Sequence, residues 1–240
     1  AAPLLAGILL TMGDWRLCFI LPGLFCLGYG VAFIAALRED GTPRVAAAKT
    51  GRAGFAPNWK LALGAMLLST TSGGFIFGAM TFVVPRYFEI SLTGISTSVA
   101  ITGLLAAIVY AVASFSQVGV GWLIDRVPPK WVLMAIGVGQ VVFVALTALY
   151  TDYALFFTML VAMSFVFGQI PITDTILSRY VPDDWRARIL SVKFMVNLSI
   201  GASVLPICGA ILQNGYEMAF LFSVMSGLAC LVVLAALLLP

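Results

Sequence analysis

Asp174 stands in PITDTILSRY, residues 171–180, directly after a run of 21 residues, Tyr153 to Thr173, that carries no charge. A carboxylate at the edge of so apolar a run has two chemistries open to it. It can bind and release a proton in a poorly solvated setting, or it can pair with a basic group and hold helix ends together. A second cluster, GVGWLIDRVPPKW at 119–131, holds Gly121, Asp125, Arg126 and Lys130. There a glycine lets two helices approach, the acid can accept from a helix N-terminus or pair with an Arg, and the basic residues sit at headgroup level. Arg179, Arg186 and Arg188 lie in a third, SRYVPDDWRARILSVKF at 178–194. The chain has no His, so the commonest metal ligand and proton shuttle is missing. Nothing resembles a phosphate-binding loop, and no nucleophile with a base appears, so no catalytic residue, metal site or cofactor is expected.

The elements that must position these groups are membrane helices. Hydrophobic residues make up 62% of the 240 and charged ones 10%, well below the roughly 25% of soluble domains. Seven charge-free runs, 17–37, 61–85, 90–124, 131–151, 153–173, 194–216 and 218–240, are each at least 21 residues long. At about 1.5 Å per residue each can span a hydrocarbon core of roughly 30 Å. Residues 1–13 form a shorter run without a basic leader, read as the end of a helix that begins upstream. The expected helices are that stub, ending near Met12, then about 17–37, 61–85, 95–118, 131–150, 154–177, 190–212 and 218–239.

Alternate connections divide the basic residues ten to two, with Arg38, Arg44, Lys49, Arg52, Lys60, Arg126, Lys130, Arg179, Arg186 and Arg188 on one side, Arg16 and Arg86 on the other, and Lys193 a turn inside a helix. The positive-inside rule makes the first side and the C-terminus cytoplasmic, and a bacterial inner membrane the expected location. The net charge of +3 thus reports topology, with the lipid bilayer as partner and no reason to invoke nucleic acid. Cys18, Cys26, Cys208 and Cys230 all lie in apolar segments, so no disulfide framework is expected.

A Gly-, Ala- and Arg-containing connection, 38–60, reads as a linker between two membrane units. PLLAGIL at 3–9 aligns with PICGAIL at 206–212, and GDWRLCF at 13–19 aligns loosely with GYEMAF at 215–220. The spacing of about 200 residues leaves room for six helices of roughly 20 residues and their loops. That interval implies two six-helix halves, of which 1–37 supplies the end of helix five and helix six, and 61–240 supplies helices seven to twelve.

The 119–131 cluster resembles the loop signature of the major facilitator superfamily, G-x-x-x-D-R-x-G-x-K/R, with Pro128 where that family usually has Gly. PLLAGILLTMGDWRLCF resembles the family's turn between helices five and six, and SRYVPDDWRARILSVKF its loop between ten and eleven. The resemblance implies an all-α integral membrane protein, a fragment of a twelve-helix bundle. It further implies a monomeric secondary transporter of a small solute by alternating access, with protons as a coupling ion from family habit. A non-transporting receptor or assembly protein on the same scaffold is the alternative.

Polar residues inside a membrane usually face a bundle interior. Helices seven, eight, ten and eleven carry most of them and are the expected cavity walls, with Ser72, Phe75, Gln117, Gln169 and Asn197 as candidate cavity residues. Gly73, Gly74 and Gly78 before Pro85 either bend helix seven or let neighbours pack closely. No buried pair of opposite charges is evident, and hydroxyls and amides without a fixed cation favour a neutral or amphipathic solute. Asp174 is then expected near the cytoplasmic end of helix ten. There it would form a gate cluster with Asp125 and Arg179 against Arg126, Lys130, Arg186, Arg188 or Lys193.

Overall fold

The computed structural model describes residues 16–39, 54–95 and 99–240. The helix end expected near Met12, most of the 38–60 linker and residues 96–98 lie outside the described residues. The chain divides into two units, residues 1–50 and 51–240. In the first, α1 (Leu17–Glu39) is apolar around its whole circumference, with Phe19, Phe25, Leu27 and Phe33 exposed. A helix apolar on every side belongs in lipid or in a large core.

The second unit comprises α2 (Trp59–Ser91), α3 (Val99–Ile124), α4 (Pro129–Thr147), α5 (Asp152–Tyr180), α6 (Asp183–Gln213) and α7 (Met218–Leu238). Counting α1, seven helices among the described residues are long and apolar enough to cross a membrane. Several overrun the charge-free runs that predict them. The helix expected over 61–85 extends to Ser91, and the one expected to begin at 190 begins at Asp183. Charge ends a hydrocarbon-embedded stretch but does not end a helix. Arg86 and Glu89 pair at 2.7 Å along α2, and Asp183 and Asp184 occupy the first turn of α6, where a helix dipole favours acids. Pro128 precedes α4 and Pro129 opens it, a position where the missing N–H costs nothing.

The strongest packing pairs are α3 with α5, α4 with α5 and α7, and α2 with α5, α6 and α7. Lipid tails supply no hydrophobic drive for such contacts, so close approach and polar bonds must hold them. Gly137 of α4 shows the first device: a Cβ there would lie 3.1 Å from the Val233 backbone nitrogen of α7. Charged and polar bonds at the two ends show the second. At one end Arg179 Nη2 donates to Ile124 O at the close of α3 (3.1 Å), and Lys130 Nζ donates to Leu239 O past the close of α7 (2.6 Å). Arg186 Nη2 donates to Ser178 O near the close of α5 (3.2 Å). Three helix C-termini, each with carbonyls lacking helical partners, are thereby met by cations. At the other end Gly94 N donates to Asp152 Oδ1 (2.8 Å) and Tyr87 OH to Thr147 O (3.0 Å).

Pro85 lies inside α2, which continues as helix through it. A proline has no N–H for the carbonyl four residues back, here Thr81 O. Tyr110 OH of α3 donates to that oxygen at 2.9 Å, supplying the bond the backbone cannot. Replacing Tyr110 by Phe is therefore expected to cost about 1–2 kcal/mol by leaving this carbonyl unpaired. Pro85→Ala, which restores a backbone donor, should recover much of the loss in the double variant. Thermal unfolding of the four proteins checks this; strict additivity would show that Tyr110 does not serve the proline gap.

Candidate functional site

A cavity of about 240 Å³ opens between α2, α5 and α6. On α2 it is bordered by Ser69, Thr70, Gly73, Gly74 and Phe77, a set at spacings of three and four that shares one helix face. The two glycines exist for close approach. A Cβ at Gly73 would overlap the Gln169 amide, one at Gly74 would lie 2.6 Å from Asn197 Oδ1, and one at Gly78 would lie 3.0 Å from Val204. Backbone and polar side chains of three helices thus meet without intervening bulk.

Gln169 of α5 fixes the inner wall. Its Nε2 donates to Ser69 O and Ser69 Oγ, both at 2.8 Å, and its Oε1 accepts from Gln140 Nε2 of α4 at 2.8 Å. One buried amide therefore ties α2, α4 and α5. Such a network is worth most where water cannot compete.

The charged pole lies toward the end of the bundle that holds Arg126 and Arg179. Lys193 of α6 is 8% exposed and donates to Thr173 Oγ1 (2.8 Å) and Asp174 Oδ1 (2.5 Å) of α5. The Asp174 side chain is 55% exposed, so the pair has one buried and one solvated member. Helix geometry explains the meeting. Asp174 is six residues before the end of α5, about 9 Å inward, whereas Lys193 is ten residues into α6, about 15 Å inward. Side chains lean toward a helix N-terminus, so the long lysine reaches back along α6 to the shallower acid.

This overturns one expectation: the cavity does contain a fixed cation, Lys193, paired with an acid that is itself 55% exposed. Lys193 is among the partners expected for Asp174, but its depth was underestimated because α6 was expected to begin at residue 190. With the true start at Asp183, Lys193 moves from about one turn inside the helix to nearly three.

Among the predicted cavity residues, Gln169 and Asn197 border the cavity. Ser72 is 2% exposed and its Oγ returns to Leu68 O of its own helix at 2.7 Å. Phe75 packs against the apolar core, and Gln117 of α3 is half-buried away from this cavity. At about 100° per residue, Ser72 and Phe75 lie roughly 130° and 170° from the centre of the cavity face of α2. Most hydroxyls on these helices bond their own carbonyls, as Thr158, Ser164 and Thr175 do, so counting hydroxyls does not locate a cavity. Thr70 is different: it is 6% exposed, borders the cavity, and its Oγ1 has no hydrogen-bond partner among the described residues.

Among the predicted gate residues, Asp174 pairs with Lys193, one of the partners expected for it. Gly121 is half-buried and Asp125 exposed at the end of α3. The Arg126 guanidinium lies 3.7 Å from the Trp122 ring centroid and that of Arg188 lies 5.0 Å from Trp185. Arg186 pairs with Asp183 at 2.8 Å, and Lys130 and Arg179 hold the helix-end carbonyls described above.

Membrane-length helices bordering a polar, charge-bearing cavity describe a multi-pass membrane protein. The chain belongs to the Major Facilitator Superfamily, whose family model matches residues 1–198 and 93–240. Among solved structures it is similar to a variant of the E. coli fucose:proton symporter FucP, with a TM-score of 0.61 and 15% identity. That match covers 77% of this chain and 43% of the symporter, so the chain spans less than half of that protein's length. At this identity the likeness shows the fold. No curated protein matches the chain.

Proposed function

We propose that the protein is a secondary transporter that moves a small solute by alternating access, and that the α2–α5–α6 cavity is part of its solute path. The family and fold point to a transporter rather than an enzyme. The observation that carries the reading is the cavity's combination of a buried lysine, a partly exposed acid and a partnerless threonine hydroxyl between helices of membrane length. Ionisable groups held in such a position are costly and mark pathways for solutes or ions. Gln169 and Asn197 belong to the proposed lining together with Thr70 and Lys193.

Protons are the proposed coupling ion, in line with the family and with the fucose:proton symporter whose fold the chain shares. The proposed inner gate is the end of the bundle where Gly121, Asp125, Arg126, Lys130, Arg179, Arg186 and Arg188 lie, with Asp174 at its inner edge. That end is taken as cytoplasmic from its basic excess, in a bacterial inner membrane, with the protein acting as a monomer.

Alternating access is tested by placing a single cysteine at Asn197, which is exposed and borders the cavity, in full-length protein whose other cysteines are replaced. In sealed vesicles, a membrane-impermeant thiol reagent is expected to reach it from either face in separate trials. A pH gradient should change the two rates in opposite directions. Reaction from one face alone, unchanged by the gradient, would contradict the reading.

A further inference from the structure

The charge of the solute can be read from how the cavity is built. α6 buries only three of its residues, Lys193, Val204 and Cys208. A helix so sparingly packed that nonetheless buries a lysine has placed a cation where an apolar residue would be less costly. Lys193 is not locked into a tight structural pair. Its acid partner, Asp174, has a 55% exposed side chain with an open side to turn to, so an incoming anion can take its place beside the ammonium. Thr173 accepts from the same ammonium, which keeps the cation in place when Asp174 leaves.

A second observation points to a ligand independently. Thr70 Oγ1, on the facing wall, is buried without a hydrogen-bond partner among the described residues, although a helical threonine can ordinarily satisfy itself on its own helix. Phe77 and Phe194 supply apolar surface beside this polar pole.

We infer that the solute is a small organic anion, whose carboxylate or similar monoanionic group displaces Asp174 from Lys193 while Thr70 donates a hydrogen bond. Asp174 is then a resident counter-ion that neutralises the site between transport events. This rests on the transporter reading and adds the solute's charge class to it. A neutral solute accepting from the ammonium would not replace the charge that Asp174 withdraws, and a cation would meet Lys193 as a like charge.

The two charges predict effects of opposite sign, which makes the inference testable by binding to purified full-length protein. The probes are benzoate and lactate, their neutral amides, and benzylammonium, measured by calorimetry and thermal shift. At least one anion should bind wild type more tightly than its amide. Lys193→Gln should weaken that anion roughly 10- to 100-fold, the usual worth of a charge-assisted bond. Lys193→Arg should retain much of the affinity, and Asp174→Asn should strengthen it about two- to fivefold by removing the competitor. Thr70→Val should weaken it without altering the response to Asp174→Asn.

Tighter benzylammonium binding that is lost in Asp174→Asn would overturn the inference, as would amide binding indifferent to both charge changes. No anion binding more tightly to wild type than to Lys193→Gln would also overturn it. A positive result for amide or ammonium would leave the transporter reading standing while removing the anion; that reading is judged separately by vesicle uptake.

Discussion

Replacing Gly73 by leucine is expected to lower the midpoint of thermal unfolding by about 10 °C or more. The position has no room, because even a Cβ would occupy the space of the Gln169 amide. A glutamine can normally swing aside, but this one is held by Ser69 on α2 and Gln140 on α4. Moving it breaks buried bonds worth about 1 kcal/mol each and adds an overpacking cost of about 1–3 kcal/mol. With three such bonds the total is roughly 4–6 kcal/mol, which corresponds to a shift on that scale for a chain of this size. Gln169→Ala in the same background opens the space and should restore part of the loss. A Gly73→Leu protein within about 2 °C of wild type would mean that the three-helix tie contributes little.

The second large effect is expected on transport rather than stability. Ile170 borders the cavity, is 41% exposed, and bonds its neighbours through its backbone alone. Ile170→Trp adds an aromatic ring to the open side of the cavity without removing a hydrogen bond or an ion pair. Stability should change little. Solute entering an overfilled site meets a penalty of about 1–3 kcal/mol, so apparent affinity for the transported solute should fall roughly 5- to 150-fold. Unchanged uptake kinetics in a stable Ile170→Trp protein would place the solute path elsewhere.

The helices were legible because hydrophobic length is a property of contiguous residues. Each charge-free run found one, and the errors at Ser91 and Asp183 arose where helices continue past the hydrocarbon into charged sequence. The cavity was legible only in part because it depends on rotational register and on contacts between distant residues. Ser72 and Phe75 belong to the correct helix and the wrong face. That error could have been found from spacing, since Ser69, Gly73 and Phe77 keep one face at intervals of four.

The Lys193–Asp174 pair was legible as one of several possible contacts, but its depth was hidden for a different reason. It joins residues 19 apart across a helix turn, and its burial follows from where α6 begins. The partnerless hydroxyl of Thr70 has no sequence signature at all. Nothing in LLSTTSGG distinguishes it from Ser72, whose hydroxyl returns to its own helix.

The central claim, that this cavity carries a solute across the membrane, is tested most directly by uptake into proteoliposomes of the full-length protein. A panel of small organic anions, their neutral analogues and cations would be run with and without a pH gradient, for wild type and Ile170→Trp. Saturable uptake of at least one solute is expected, accelerated by the gradient and strongly impaired in the Ile170→Trp protein. Absence of flux across the panel, or flux indifferent to the added ring, would contradict the claim.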